Sequence, residues 1–263
     1  MPSASAETAE SAYEQGLQQI TSGNLAGAIA AFQRAISINP SYFPAQYNLG
    51  LALRQSGRIQ ESATAFYQAI RLDPKFAMTY ANLGAALLEG NNLAQAKSYL
   101  KRSIELDPNL GMAYYNLGLV HHQEKDFKAA TAALQRATEL SPKIPEPYYH
   151  LGIVHHRSNW NRGAAAAFRK AIALNPNYAD AYYGLGSVLY SEQDFTGAID
   201  AFRNATRLNP KFANAYYAAG MAFLKQKNYA EAKRLLEFAK TEYAAVQNKS
   251  QVDRVDRILA QIP

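Results

Sequence analysis

The chain of 263 residues contains no cysteine, one tryptophan and four methionines. The absence of cysteine excludes disulfides, thiol nucleophiles, Cys-ligated zinc and iron–sulfur clusters together. It does not choose a compartment, since cytosol and periplasm both tolerate such a chain. No apolar run approaches the ~20 residues that a membrane-spanning helix needs. The start, Met1 to Glu10, is polar and lacks a basic-then-apolar leader pattern. There is no Walker loop, no His-Glu-x-x-His and no Gly-x-Ser-x-Gly. Gly184-Leu-Gly186 lies in a helical pattern rather than after a strand, so it is no dinucleotide fingerprint. Catalysis has no obvious seat, no cofactor is expected, and the chain reads as a non-enzyme. What the sequence does have is 48% hydrophobic residues, ample for a packed structure, and a net charge of +6.

Those residues are not spread evenly. Six of the eleven prolines, Pro40, Pro74, Pro108, Pro142, Pro176 and Pro210, stand 34 residues apart. Gly16, Gly50, Gly84, Gly118, Gly152, Gly186 and Gly220 share that period. Each period reads as two helices separated by a polar turn and closed by proline, which cannot continue a helix. The glycines fall inside the first helix, at a cost of about 1 kcal/mol each against alanine. A repeated cost of this kind predicts close helix–helix approach. The expected small residue opposite is Ala28, Ser62, Ala96, Ala130, Ala164, Ala198 or Ala232 of the second helix. A second small row runs from Ala35 to Ala239, and a bulky row comprises Phe32, Phe66, Leu100, Leu134, Phe168, Phe202 and Leu236. Small beside large at fixed offsets lets paired helices interlock.

The pattern Tyr-x-x-Leu-Gly, then Ala, Phe/Leu, Ala and a closing Asn/Asp-Pro resembles the tetratricopeptide repeat (TPR) family. The resemblance implies an all-α fold, a right-handed α-solenoid superhelix of antiparallel helix pairs with a groove lined by first helices. It divides the chain into a polar N-terminal extension (1–8), seven repeats over 9–246 (9–42, 43–76, 77–110, 111–144, 145–178, 179–212 and 213–246) and a C-terminal capping helix (247–263). The first unit has Ala12 and Gln15 in slots that are otherwise large and apolar, as suits an end without a neighbour. At the other end Val252, Val255, Ile258, Leu259 and Ile262 share one side of a helix, with Asp253, Arg254, Asp256 and Arg257 on the other. This stretch reads as a solvating cap, with a partner-binding or membrane-surface helix as the sharper alternative. The sequence style is similar to bacterial, in particular cyanobacterial, members of the family, several of which assist assembly of membrane complexes.

Helix faces in this family are fixed by slot, so groove residues follow from the resemblance. They are Tyr47, Asn48, Leu51, Asn82, Tyr115, Asn116, Leu119, Tyr149, His150, Ile153, Tyr183 and Tyr217. An asparagine amide carries both donor and acceptor and can pair with a peptide group of a ligand. Asn48, Asn82 and Asn116 resemble the asparagine ladder in the TPR region of O-linked GlcNAc transferases; equally, Tyr-Asn-Leu-Gly is close to the family consensus. Tyrosines on a rigid scaffold suit apolar contact with a partner's side chains. A further tyrosine row, Tyr80, Tyr114, Tyr148, Tyr182 and Tyr216, reads as core. The subclass that clamps chaperone tails needs basic residues where this chain has Met78, Asn82, Met112, Asn116, Glu146 and His150, so that binding is not expected.

All five histidines, His121, His122, His150, His155 and His156, fall in two adjacent periods. His122, His150 and His156 share one groove wall, but helices about 8–10 Å apart fit poorly with metal–nitrogen bonds of about 2 Å. No metal is expected; His121 and His155 are expected to pack against the partner helix. Basic residues such as Arg34, Lys101, Arg102, Arg136, Arg169, Lys170 and Arg203 lie on second helices, away from the tyrosines, and so read as a solvated outer face. The expected partner is thus a protein or peptide segment, bound by an adaptor or scaffold in complex assembly. A scaffold self-associating through outer faces or ends is the alternative, and an RNA-binding solenoid the third. The expected location is the cytoplasm, or the periplasm or a membrane surface had a leader or anchor been removed.

Overall fold

The computed structural model describes residues 7–263; residues 1–6 of the polar extension lie outside the described residues. Fifteen α-helices and no strands occur among the described residues. They are α1 (Ala9–Thr21), α2 (Leu25–Ile38), α3 (Phe43–Gln55), α4 (Ile59–Leu72), α5 (Ala77–Glu89), α6 (Leu93–Leu106), α7 (Gly111–Gln123), α8 (Phe127–Leu140), α9 (Pro145–Arg157), α10 (Asn161–Leu174), α11 (Ala179–Ser191), α12 (Phe195–Leu208), α13 (Ala213–Lys225), α14 (Tyr229–Ala245) and α15 (Lys249–Leu259). The chain forms two compact units, one ending at Ser141 and the other running from Pro142. The first unit holds four antiparallel helix pairs, α1/α2 to α7/α8. The second holds three pairs, α9/α10 to α13/α14, followed by α15.

Local chemistry sets the helix ends. Asn24, Asn92, Asp126, Asp194 and Asn228 each accept a hydrogen bond from a backbone N–H of the second helix they precede, satisfying a donor that the helix cannot. The second helices stop at Asn39, Asp73, Asp107, Asn175 and Asn209, all in extended conformation, because the proline that follows disfavours the helical region there. Between the helices of each pair the chain reverses through a left-handed residue. That position is Gly23 and Gly57 in the first two pairs, then Asn91, Lys125, Asn159, Gln193 and Lys227.

The glycine row shows how a pair closes. A Cβ on Gly50 would stand 2.6 Å from the Phe66 ring, and one on Gly186 would stand 2.6 Å from the Phe202 ring. The bulky row of the second helix therefore fills the space that the glycine vacates. The small row sits alongside it: Ser62 Oγ donates to the Gly50 carbonyl at 2.7 Å. Phe32, Phe66, Leu100, Leu134, Phe168, Phe202 and Leu236 are all fully buried or nearly so. Of the tyrosine row expected in the core, Tyr80 is buried and Tyr114, Tyr148, Tyr182 and Tyr216 are half-buried.

Two elements depart from the repeating pattern. In α5 every residue from Thr79 to Leu88 is buried. Ala81 and Ala85 replace the tyrosine and leucine of the other first helices of this unit, and α7 packs against α5 more extensively than first helices of successive pairs do elsewhere in the unit. At the other end α14 runs for 17 residues, beyond the 14 of the other second helices, since Ala244 stands in place of the closing proline. On it α15 packs Val255, Val252, Ile258, Leu259 and Ile262 against Leu236, Ala239 and Tyr243. Lys240 Nζ pairs with Asp256 Oδ1 at 2.5 Å across the two helices.

Candidate functional site

The first helices carry the expected groove residues, and the two units use them differently. In the first unit the asparagines are turned to the protein itself. Asn48 Nδ2 donates to Tyr13 Oη at 3.1 Å and to the Pro44 carbonyl at 2.9 Å. One pair later, Asn82 Nδ2 donates to Tyr47 Oη at 2.9 Å. Asn82 is only 4% exposed and Asn116 only 7%. The slot that would supply a phenol to Asn116 is Ala81, so there the tie is missing. A third cross-repeat link, Arg54 Nε to Glu89 Oε1 at 2.8 Å, joins α3 to α5 on the same face. Tyr47 is half-buried among Phe43, Phe66 and Phe76, at centroid distances of 5.5–5.9 Å. Burial raises its phenol above the ordinary range, partly offset by the Asn82 hydrogen bond. Leu51 borders a shallow recess of about 300 Å³ with Arg54, Gln55 and Glu89. Tyr115 and Leu119 are half-buried, Leu119 against the core.

In the second unit the same slots open. Two adjoining recesses share His156, Tyr183, Ser187 and Ser191. The larger, about 640 Å³, is bordered by Tyr149, Ile153, Arg157, Asp180 and Gly184. The smaller, about 330 Å³, is bordered by Tyr190, Tyr217, Ala218, Met221 and Arg254. Gly184 and Ala218 occupy the asparagine slot and carry no amide, so Tyr149 and Tyr183 lack the tie that holds Tyr13 and Tyr47. Gly184 has a second effect. A Cβ there would stand 2.6 Å from the Phe168 ring, which also covers Gly152, so that ring fits between two glycines of successive pairs. The tyrosines stand on aromatic floors: Tyr149 lies 4.8 Å from Tyr178, and Tyr183 lies 5.1 Å from Phe212. Burial raises both phenols, with Asp180 adding to the effect at Tyr149 and Ser187 opposing it at Tyr183. They therefore remain protonated and able to donate.

Of the expected groove residues, the second unit thus brings Tyr149, Ile153, Tyr183 and Tyr217 to one continuous recess. His150 packs beside Tyr149 at 5.0 Å and borders neither part. Among the bordering residues outside the expected set are Tyr190, Ser191 and Arg254. Ser191 and Tyr190 lie one and two turns beyond Ser187 and Tyr183 on α11, a helical spacing visible in the sequence. Arg254, on the polar side of α15, is exposed and its guanidinium stands 5.0 Å over the Tyr217 ring. Only the docking of α15 places it there.

The histidines do not assemble a metal centre: no group of three His, Asp or Glu side chains among the described residues could hold a metal. His155 is 3% exposed and meets the edge of Trp160 at 4.2 Å, and burial holds its pKa below the ordinary value. His156 Nδ1 lies 3.2 Å from Asn161 Oδ1. On the outer face some arginines pair within their own helices, as in Arg102–Glu105 and Arg136–Glu139, both at 2.8 Å. No helix among the described residues is long and apolar enough to cross a membrane.

Comparison with known proteins agrees with this architecture. Among solved structures the chain is similar to YrrB, a TPR protein described as having an unusual peptide-binding site, at 25% identity and a TM-score of 0.62, over 74% of this chain and 99% of that one. It is similar to MamA protein at 27% identity and a TM-score of 0.60, over 65% of this chain and 93% of that one. In fold alone it resembles a tetratricopeptide repeat protein from Parabacteroides merdae, at 18% identity and a TM-score of 0.70, over 96% and 99% of the two chains. No curated protein matches the chain at a significant level. The family described as Tetratricopeptide repeat matches residues 5–75, 82–145 and 149–203, and that described as TPR repeat matches residues 186–227. With most of its length matched and fourteen of its fifteen described helices in pairs, the chain belongs to the tetratricopeptide repeat family, an all-α fold that serves as a scaffold for protein–protein interaction.

Proposed function

We propose that this protein is a non-catalytic adaptor that holds an extended segment of a partner protein along the first-helix face of residues 142–263, and so helps assemble or position a complex. The observation that carries this reading is the continuous recess between Tyr149, Tyr183 and Tyr217, where the asparagine slot has shrunk to Gly184 and Ala218. Its mixture of aromatic rings, hydroxyls and aliphatic Ile153 and Met221 is the surface that anchors side chains while hydrogen-bonding a peptide backbone. The likeness to a TPR protein with a peptide-binding site supports it. In this reading Tyr47, Asn48 and Asn82 serve chiefly to join repeats of the first unit.

A displayed library of random decapeptides, selected on the full chain, tests the proposal. Selected peptides should bind about a hundredfold more weakly to a Tyr183→Ala/Tyr217→Ala variant, the scale of losing two aromatic anchors. Equal binding to the variant, with its helical circular dichroism intact, would refute the assignment.

A further inference from the structure

The smaller recess of the second unit is rich in donors and bordered by no carboxylate. Arg254, Tyr183, Tyr217, Ser187 and Ser191 all contribute to its wall. Arg254 is exposed at its mouth, with its guanidinium 5.0 Å over the Tyr217 ring. A guanidinium stacked on an aromatic face keeps its planar fork of N–H donors available for a carboxylate. The outer-face arginines Arg58, Arg102, Arg136, Arg203 and Arg234 each meet an acid three residues away. Arg254 makes no salt bridge within the described residues. Asp253, next in sequence, projects elsewhere on the helix, and Asp256 is held by Lys240 at 2.5 Å.

We infer that Arg254, stacked on Tyr217, forms a specificity pocket for one acidic side chain of the bound segment, so that the partner presents an Asp or Glu beside its apolar anchor. This rests on the reading that a segment lies along the recess. A carboxylate is favoured over a phosphate because one guanidinium matches a single negative charge, whereas a phosphate carries close to two. The pocket is supplied from outside the repeating pattern, by α15, so it is a property of this C-terminal helix and not of the repeat consensus.

Parallel selection of a terminally blocked decapeptide library on the full chain and on its Arg254→Gln variant tests the inference; blocked termini remove any terminal carboxylate. Wild-type binders should carry Asp or Glu at a fixed offset from an aromatic or aliphatic residue. Their acid-to-amide twins should bind the wild type about tenfold more weakly, the scale of one charge-assisted hydrogen bond, and that difference should vanish in Arg254→Gln. Arg254 is exposed, so its loss should leave the helical circular dichroism unchanged. Binders sensitive to Tyr183→Ala/Tyr217→Ala but without an acid preference would overturn the Arg254 pocket and leave the groove reading standing. The same acid-to-amide penalty in Arg254→Gln would do likewise. Binders indifferent to both tyrosines would overturn the two readings together. A phosphoserine twin that binds more tightly than the glutamate would overturn the carboxylate assignment in favour of phosphate.

Discussion

In the first unit one slot of the first helix holds Asn48, Asn82 and Asn116; in the second it holds His150, Gly184 and Ala218. The amides of Asn48 and Asn82 reach back to the tyrosines of the preceding pair and fasten one repeat to the next. Where the amide is gone, the tyrosines Tyr149 and Tyr183 border open recesses. The difference shows that, on a scaffold of near-identical parts, a smaller side chain in one slot can open a recess. The same polar residue that looks like a ligand contact in isolation is a fastening when its neighbour carries a phenol.

Substitutions can break this contrast. The largest effect separates the tyrosines of the two units. Tyr183→Ala/Tyr217→Ala should weaken binding of selected peptides about a hundredfold. Tyr13→Ala/Tyr47→Ala should lower stability yet leave that affinity within about twofold, as read by fluorescence anisotropy. Next, Gly184→Asn restores the asparagine but forces a Cβ against Phe168, where 2.6 Å separates them. Overpacking of this kind should destabilise the second unit by about 2 kcal/mol in urea unfolding followed through Trp160. A smaller loss, about 1 kcal/mol, is expected for Asn82→Ala, which strips Tyr47 Oη of its partner. Ala218→Asn should tie Tyr183 as Asn82 ties Tyr47, adding a few tenths of a kcal/mol while weakening peptide binding.

A pH effect belongs to the second unit as well. Burial lowers the folded pKa of His155 below its unfolded value of 6.5. As pH falls through 6.5 the unfolded chain takes up the proton first, so stability present above that pH is lost progressively on acidification. Trp160, the single tryptophan, touches His155 and reports the loss. His155→Phe should flatten the dependence between pH 7 and the folded pKa.

Much of the architecture is legible in the sequence because its causes are local and repeated. Prolines 34 apart stop the second helices, Asn and Asp cap them, and glycines mark where a ring from the partner helix lies. The site is less legible because its causes cross repeats. Tyr13–Asn48, Tyr47–Asn82 and Arg54–Glu89 are each 35 residues apart, one period plus one. At that offset Asn48 and Asn82 each follow a tyrosine, whereas Asn116 follows Ala81. The sealing of α5 by Ala81 and Ala85 needed only the two missing large residues to be taken together. Arg254 had no such signal, since its place depends on how a non-repeating helix docks.

The left-handed turn inside each pair has one further consequence. Glycine holds it at positions 23 and 57, whereas Lys125, Gln193 and Lys227 hold the same geometry at φ of 60–65° with a side chain attached. Such residues carry a steric penalty that glycine escapes, less what glycine loses through the greater freedom of its unfolded chain. The result is a set of evenly spaced adjustment screws. Glycine placed at 125, 193 or 227 would stabilise one repeat at a time, by roughly 0.5–1 kcal/mol each, in turns that border neither recess. The protein thus contains its own route to a graded series of sturdier scaffolds with both recesses left as they are.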